Sequence, residues 1–175
     1  MDESGVLLVN LAQGKIGADS SALLGGLLVT SLGSAAFSRA YLPEAKREPF
    51  FLFVDEFQTF TTLAFANMLS ELRKYAVAAT LAHQFRQQVQ PDIRQAVLGN
   101  AGTLIAFRLG AYDAALTARE FEPTFSAHDL LTLPNHDIYL KLMIDGAPSM
   151  PFSATTVRDP IYRLGPPGQA AAASS

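Results

Sequence analysis

Asp55 and Glu56 stand side by side at the end of an apolar run, Phe50-Phe51-Leu52-Phe53-Val54, and the chain turns polar just beyond them at Gln58 and Thr59. Two carboxylates in that position can divide phosphoryl-transfer chemistry between them. The first holds Mg²⁺, usually through water, and the second orients and deprotonates the water that attacks a γ-phosphate. The arrangement is that of a Walker B element. A blander use exists as well, because carboxylates favour helix N-termini and the pair could merely cap the next helix. The chemistry also needs a phosphate cradle, and the only Gly-Lys step is Gly14-Lys15. A P-loop requires G-x-x-x-x-G-K-[ST], but Val9 stands at the first glycine position and Ile16 replaces the hydroxyl residue. The sequence therefore holds an acidic half-site without its phosphate-binding half.

A strand buried on both faces reads as a continuous apolar run, and open α/β sheets place their chemistry at such a strand's C-terminal end. The elements around the pair follow that plan. Val6 to Val9 predicts a short buried strand, Ser20 to Ser38 a buried helix, and the proline-bounded stretch 43–49 a charged connection. Phe65, Met68, Leu69 and Leu72 recur at helical spacing and predict an amphipathic helix ending near Arg73-Lys74. Ala76 to Leu81 is a further apolar strand that delivers His83 and Gln84 at its end. Val89, Ile93 and Val97 mark a helix with Pro91 in its first turn and Gly99 as its stop.

Beyond it, Thr103 to Phe107 predicts a buried strand ending in Arg108, followed by helices over Tyr112 to Phe121 and from a Ser126 cap to Leu131. The alternation of Ile138, Leu140, Leu142 and Ile144 with more polar neighbours is that of a half-buried strand. Asp145-Gly146 turns it into a second strand over Met150 to Thr156, making a C-terminal β-hairpin. The order of elements predicts an α/β fold with a mostly parallel sheet flanked by helices. Residues 1–163 form its single domain, and residues 164–175, rich in Gly, Pro, Ala and Ser, form a disordered tail.

Composition narrows the function. The 175 residues are 49% apolar, enough for a core without staples, and the absence of cysteine excludes disulfides and thiolate metal sites. A net charge of −3 with scattered basic residues is no strong nucleic-acid footprint. The charge-free stretch Ser20 to Ser38 is long enough to span a membrane. Its six Ser or Thr and three Gly make it poorly lipophilic, so no membrane segment is expected. Asp2-Glu3 carry the wrong charge for a secretory leader, and a cytoplasmic location follows. His83, His128 and His136 lack metal-ligand spacing, and Asp113 and Glu120 read as a solvated helix face.

The combination of GVLLVNLAQGKIG, FFLFVDEFQTF, ELRKYAVAATLAHQF, NAGTLIAFRLGAYDA and YLKLMIDG, in that order and spacing, resembles the C-terminal half of TraG/TraD-type coupling ATPases. These are the RecA-like hexameric motors of conjugation and type IV secretion, in the HerA/FtsK class. The resemblance runs from about Gly5 to Val157. It implies a RecA-like fold whose P-loop strand lies outside this sequence, ATP and Mg²⁺ as cofactors of the full-length protein, and DNA translocation through a hexamer. It also implies relaxosome or secretion-system proteins as partners, with an inner-membrane anchor upstream. By the same resemblance Asp55 binds Mg²⁺, Glu56 is the catalytic carboxylate, and Gln84 is the polar sensor of the neighbouring strand. Arg73 acts on the neighbouring subunit's nucleotide, and Arg108 is a further arginine after the next strand.

For Arg73 the alternative is a helix C-terminal cation, and for Arg108 a structural ion pair. Two rival functions are a partner-docking module using Phe121 to Leu133 and the hairpin, and a metal-dependent nuclease. The nuclease needs further acidic residues converging on Asp55 and Glu56, with Lys141 and Asp145 as candidates. A missing P-loop strand also predicts that strands 76–81 and 103–107 either pair with each other or leave a gap for another chain.

Overall fold

A computed structural model describes residues 1, 5–60, 62–84 and 89–157, so the expected tail at 164–175 lies outside the described residues. The chain forms two compact units, Met1–Ala101 and Gly102–Ser175, of mixed α/β structure with three small sheets.

The first unit opens with the short helix α1 (Gln13–Ile16) and the long helix α2 (Ala18–Ser38). The parallel strands β1 (Phe50–Val54) and β2 (Val77–Leu81) are joined through helix α3 (Leu63–Leu72) and followed by α4 (Pro91–Asn100). Register runs from Phe50 opposite Val77 to Val54 opposite Leu81. Among the described residues no third strand joins this pair. Thr62 starts α3 by accepting the Phe65 N–H, and Pro91 begins α4 where its missing donor costs nothing. The helical spacing read from the sequence puts Phe65, Met68 and Leu72 into one core with Val29, Ala36 and Val77. A second core joins Val54, Phe57 and Ala66 to Ile93 of α4 and to Val89, just before that helix. Each large side chain so buried stabilises by about 1.5–3 kcal/mol, and the two cores together fix β1 and β2 against α3 and α4.

Two expectations are corrected here. Residues 6–9 form no strand, and Val6 and Leu8 are 89% and 90% exposed. Their apolar run has the composition of a strand, but a strand exists only through ladder bonds, and none reaches these residues from the described chain. Nor is α2 buried all round. Its face of Ser21, Gly25, Val29, Gly33 and Ala36 is buried, while Leu23, Leu24 and Leu27 lie open. The exposed hydroxyls of Thr30, Ser31 and Ser34 donate back to carbonyls four residues earlier, at 2.8–3.1 Å, so the helix carries them without outside partners. By length and composition the stretch Ala18–Tyr41 could cross a membrane, the one such helix among the described residues. Its buried face packs through two glycines, one against Phe60 in the turn before α3 and one against Met68 of α3. A Cβ at Gly25 would lie 2.1 Å from the Phe60 ring, and one at Gly33 1.8 Å from Met68 Sδ.

The second unit holds β3 (Leu104–Ala106), α5 (Ala111–Phe121), α6 (Ala127–Thr132) and β4 (Asp137–Lys141). The short strands β5 (Met143–Ile144) and β6 (Ala147–Pro148) flank the Asp145–Gly146 turn, and β7 (Phe152–Thr155) completes it. Strand β3 pairs antiparallel with β4, and β4 with β7. This differs from a single mostly parallel sheet and from direct pairing of strand 103–107 with strand 76–81. The short β3 finds its ladder partner in the alternating strand β4, whose inward residues share its core. That core gathers Ala106, Ala114, Ala118, Phe121 and Leu130, with Tyr139 stacked on Phe125 at 3.7 Å. Asp113 is not on a solvated face: it is 6% exposed, and its Oδ1 has no hydrogen-bond partner among the described residues. Glu120 pairs with Lys141 at 3.4 Å.

Candidate functional site

Because β1 and β2 are parallel, the residues that follow them emerge at the same end. The main chain ties those exits together. Ala82 N–H donates to Val54 O at 2.9 Å, and Phe57 N–H donates to Ala82 O at 3.1 Å. Phe57, 2% exposed, plugs the core beneath and meets the His83 ring edge-on at 5.1 Å. Between these anchors sit Asp55, exposed, and Glu56, half-buried, with exposed Gln84 on the neighbouring exit.

The carboxylates are oriented locally. Asp55 Oδ1 accepts the Glu56 N–H at 2.9 Å, and Glu56 Oε2 accepts from the Gln58 amide. Glu56 itself has φ 49° and ψ 43°, in the left-handed region that L-residues seldom occupy. Such a conformation persists only where the surroundings impose it, and here the two main-chain bonds across the strand exits do so. Asp55, Glu56 and Gln84 all line one end of a cleft of about 1130 Å³, whose walls come from residues 5–13, α2 and β1. Gln13 reaches the same end and donates to Thr59 Oγ1 at 3.4 Å. The donor set suits a hydrated Mg²⁺, since among the described residues Asp55 keeps one carboxylate oxygen free of protein bonds and such ions take one or two carboxylates beside water and phosphate. Among the described residues no three acidic or histidine side chains gather as a metal cluster, so the convergent carboxylates that a nuclease needs are not found there.

Arg73 lies in the 3₁₀ turn Arg73–Tyr75 that ends α3. It is exposed, and among the described residues its guanidinium makes no hydrogen bond or ion pair. Its neighbour Lys74 is committed to Glu71 at 2.7 Å, and that hydrogen bond holds the ammonium pKa above its ordinary value. Arg108 is exposed just after β3 and belongs to the second unit, whereas Asp55, Glu56, Gln84 and Arg73 share the first.

Sequence reasoning passed over three residues. Gln58 braces Glu56. Arg39, 1% exposed, donates from Nη1 to Tyr75 O at 2.9 Å. Arg47 donates from Nε to the carbonyls of Arg39 and Leu42, each at 3.1 Å, and from Nη1 to Lys74 O, with its guanidinium 5.6 Å from the Tyr75 ring centre. The available signal for Arg39 was its place as the first charge after a long charge-free helix.

No family profile matches the chain, and no curated protein matches it in sequence. Among solved structures its fold is similar to that of the bacterial conjugative coupling protein TrwBdeltaN70 in an unbound form. The TM-score is 0.56 and the identity 15%, over 70% of this chain and 35% of that one. The chain thus spans about a third of the length of the solved protein that it matches.

Proposed function

We propose that this chain is the C-terminal portion of a RecA-like motor ATPase of the coupling-protein kind, with residues 1–163 as its motor part. The observation that carries the proposal is the parallel pairing of β1 with β2, which gives Asp55, Glu56 and Gln84 one common exit. Likeness of fold to a conjugative coupling protein supports the coupling-protein kind. In this scheme Asp55 holds the Mg²⁺ of bound ATP through water, and the nucleotide supplies the γ-phosphate that is transferred. Glu56 orients and deprotonates the attacking water, and Gln84 hydrogen-bonds the same water or the phosphate. Arg73 projects to the nucleotide of a neighbouring subunit, where a guanidinium offsets charge developing in phosphoryl transfer, so turnover requires a ring, a hexamer by analogy. Arg108 is a second arginine for that chemistry. The phosphate cradle comes from outside this sequence, because Val9 and Ile16 break the only Gly-Lys match.

The work done would be movement of DNA, or of a protein–DNA substrate delivered by a relaxosome, toward a secretion channel. The portion described here acts on the cytoplasmic side, and any inner-membrane anchor belongs to an upstream segment. A direct experiment is ATP hydrolysis by the isolated chain, where no measurable turnover is expected because backbone amides and a lysine normally supply most phosphate contacts. Robust turnover that Glu56→Gln abolishes would mean that a cradle exists within these residues. An in-frame G-x-x-x-x-G-K-[ST] motif in the coding sequence ahead of Met1 would supply the missing half.

A further inference from the structure

Three cationic side chains crowd the end of α3, and they are not equivalent. Lys74 is held by Glu71, and Arg47 spends its donors on three carbonyls. Arg73 alone is left without a partner among the described residues. Beneath it Arg39 is almost fully enclosed, although an arginine is costly to bury unless its donors are satisfied. Its bond to Tyr75 O and Arg47's bond to Lys74 O fall on consecutive carbonyls, the two that follow Arg73 and that a helix end leaves unpaired. Arg47 also holds the main-chain carbonyl of Arg39, so the two residues brace one another. Tyr75 is gripped from the side as well, with the Phe37 ring edge-on at 5.4 Å. Next in the chain, Ala76 takes a left-handed φ of 56°, donates to Arg73 O at 3.2 Å and accepts from Phe50 N–H at 2.9 Å, which starts the β1–β2 ladder.

We propose that Arg39 and Arg47 are positioning residues for Arg73: they clamp the backbone from Lys74 to Ala76 so that the Arg73 guanidinium is presented outward on a rigid mount. The inference rests on the reading of Arg73 as the group that serves a neighbour's nucleotide. A fixed mount matters there because a side chain acting across a subunit boundary must arrive in one geometry, and loss of position costs rate rather than substrate affinity. Arginine suits the clamp better than lysine because its planar fork can reach carbonyls of residues 39, 42 and 74 together.

The test compares Arg73→Ala, Arg47→Met and Arg47→Lys in the assembled ATPase, alongside amide exchange in the full chain. Arg73→Ala should lower kcat by roughly 10³-fold. Arg47→Met should lower kcat about tenfold with KM for ATP and the melting temperature nearly unchanged, and Arg47→Lys should not restore it. Exchange at the Ala76 and Phe50 amides should quicken at least about tenfold in Arg47→Met while α4 stays as protected as before. If Arg73→Ala leaves turnover intact, or if no assembly hydrolyses ATP, the reading of Arg73 fails and the exchange measurement alone judges the clamp. If Arg73→Ala slows turnover but Arg47→Met matches the unaltered protein in kcat and in exchange, the clamp is overturned. Should Arg47→Met fold poorly, Arg47→Lys carries the same comparison.

Discussion

Glu56 pays for its place at the strand exit in backbone energy, since a left-handed conformation costs an L-residue about 1–2 kcal/mol that glycine avoids. Glu56→Gln should therefore leave the melting temperature unchanged. Glu56→Gly should raise stability by up to about 1 kcal/mol in thermal denaturation, less whatever glycine's freedom adds to the unfolded chain. A fall in stability with glycine would mean that the Gln58 contact outweighs the strain. In the second unit, Asp129 accepts from the backbone N–H and the hydroxyl of Ser126, which closes a capping box on α6 and holds the Asp129 carboxyl below its ordinary 3.8. The folded pKa lies below the unfolded one, so the stabilisation is complete above the unfolded value and vanishes as pH falls through the folded one. Stability should thus decline as pH drops below about 4, and Asp129→Asn should flatten that part of the profile. At this scale the site was partly legible. Asp55 and Glu56 stand out because adjacent carboxylates end an apolar run, whereas Arg39 and Arg47 act through carbonyls contributed by distant stretches, which no local pattern encodes.

Elements were read best where a period and a boundary coincide. Helix α3 follows from Phe65, Met68 and Leu72, and Thr62 caps it. Residues 6–9 mislead because apolar composition marks a segment fit for a sheet without saying whether a ladder reaches it. Helix α2 misleads differently: no charge after Asp19 sets one face off from another, and the informative residues are its glycines. Gly25 sits against the body of the Phe60 ring and Gly33 against the flexible end of Met68, while Gly26 faces open space. Gly25→Ala should accordingly destabilise by about 1–3 kcal/mol, because the whole ring must move. Gly33→Ala should cost less, since a methionine can swing aside. Gly26→Ala should stabilise by roughly 0.5–1 kcal/mol, as expected for an open mid-helix site. Chemical denaturation of the three variants gives the order, and an equal response from all three would remove the packing argument.

For the whole molecule, charge sets the expectation for nucleic acid. With a net charge of −3, the isolated chain should bind DNA weakly and lose it as salt rises, because phosphate neutralisation supplies most non-specific affinity. Binding that is tight and indifferent to salt in a titration would favour a dedicated docking module instead. The α/β class was legible from alternating patterns, but the division into two units was not, since it depends on β3 taking β4 as its partner across more than thirty intervening residues. One feature of the first unit reaches beyond structure. Among the described residues strands β1 and β2 stand as a pair, with Phe51 and Phe53 uncovered and no lysine or proline within either strand to discourage a newcomer. Open edges of that kind are where an apolar sheet aggregates or is cut, so any folding intermediate that leaves them bare would be the vulnerable one, whether the cover comes from more of the same polypeptide or from another.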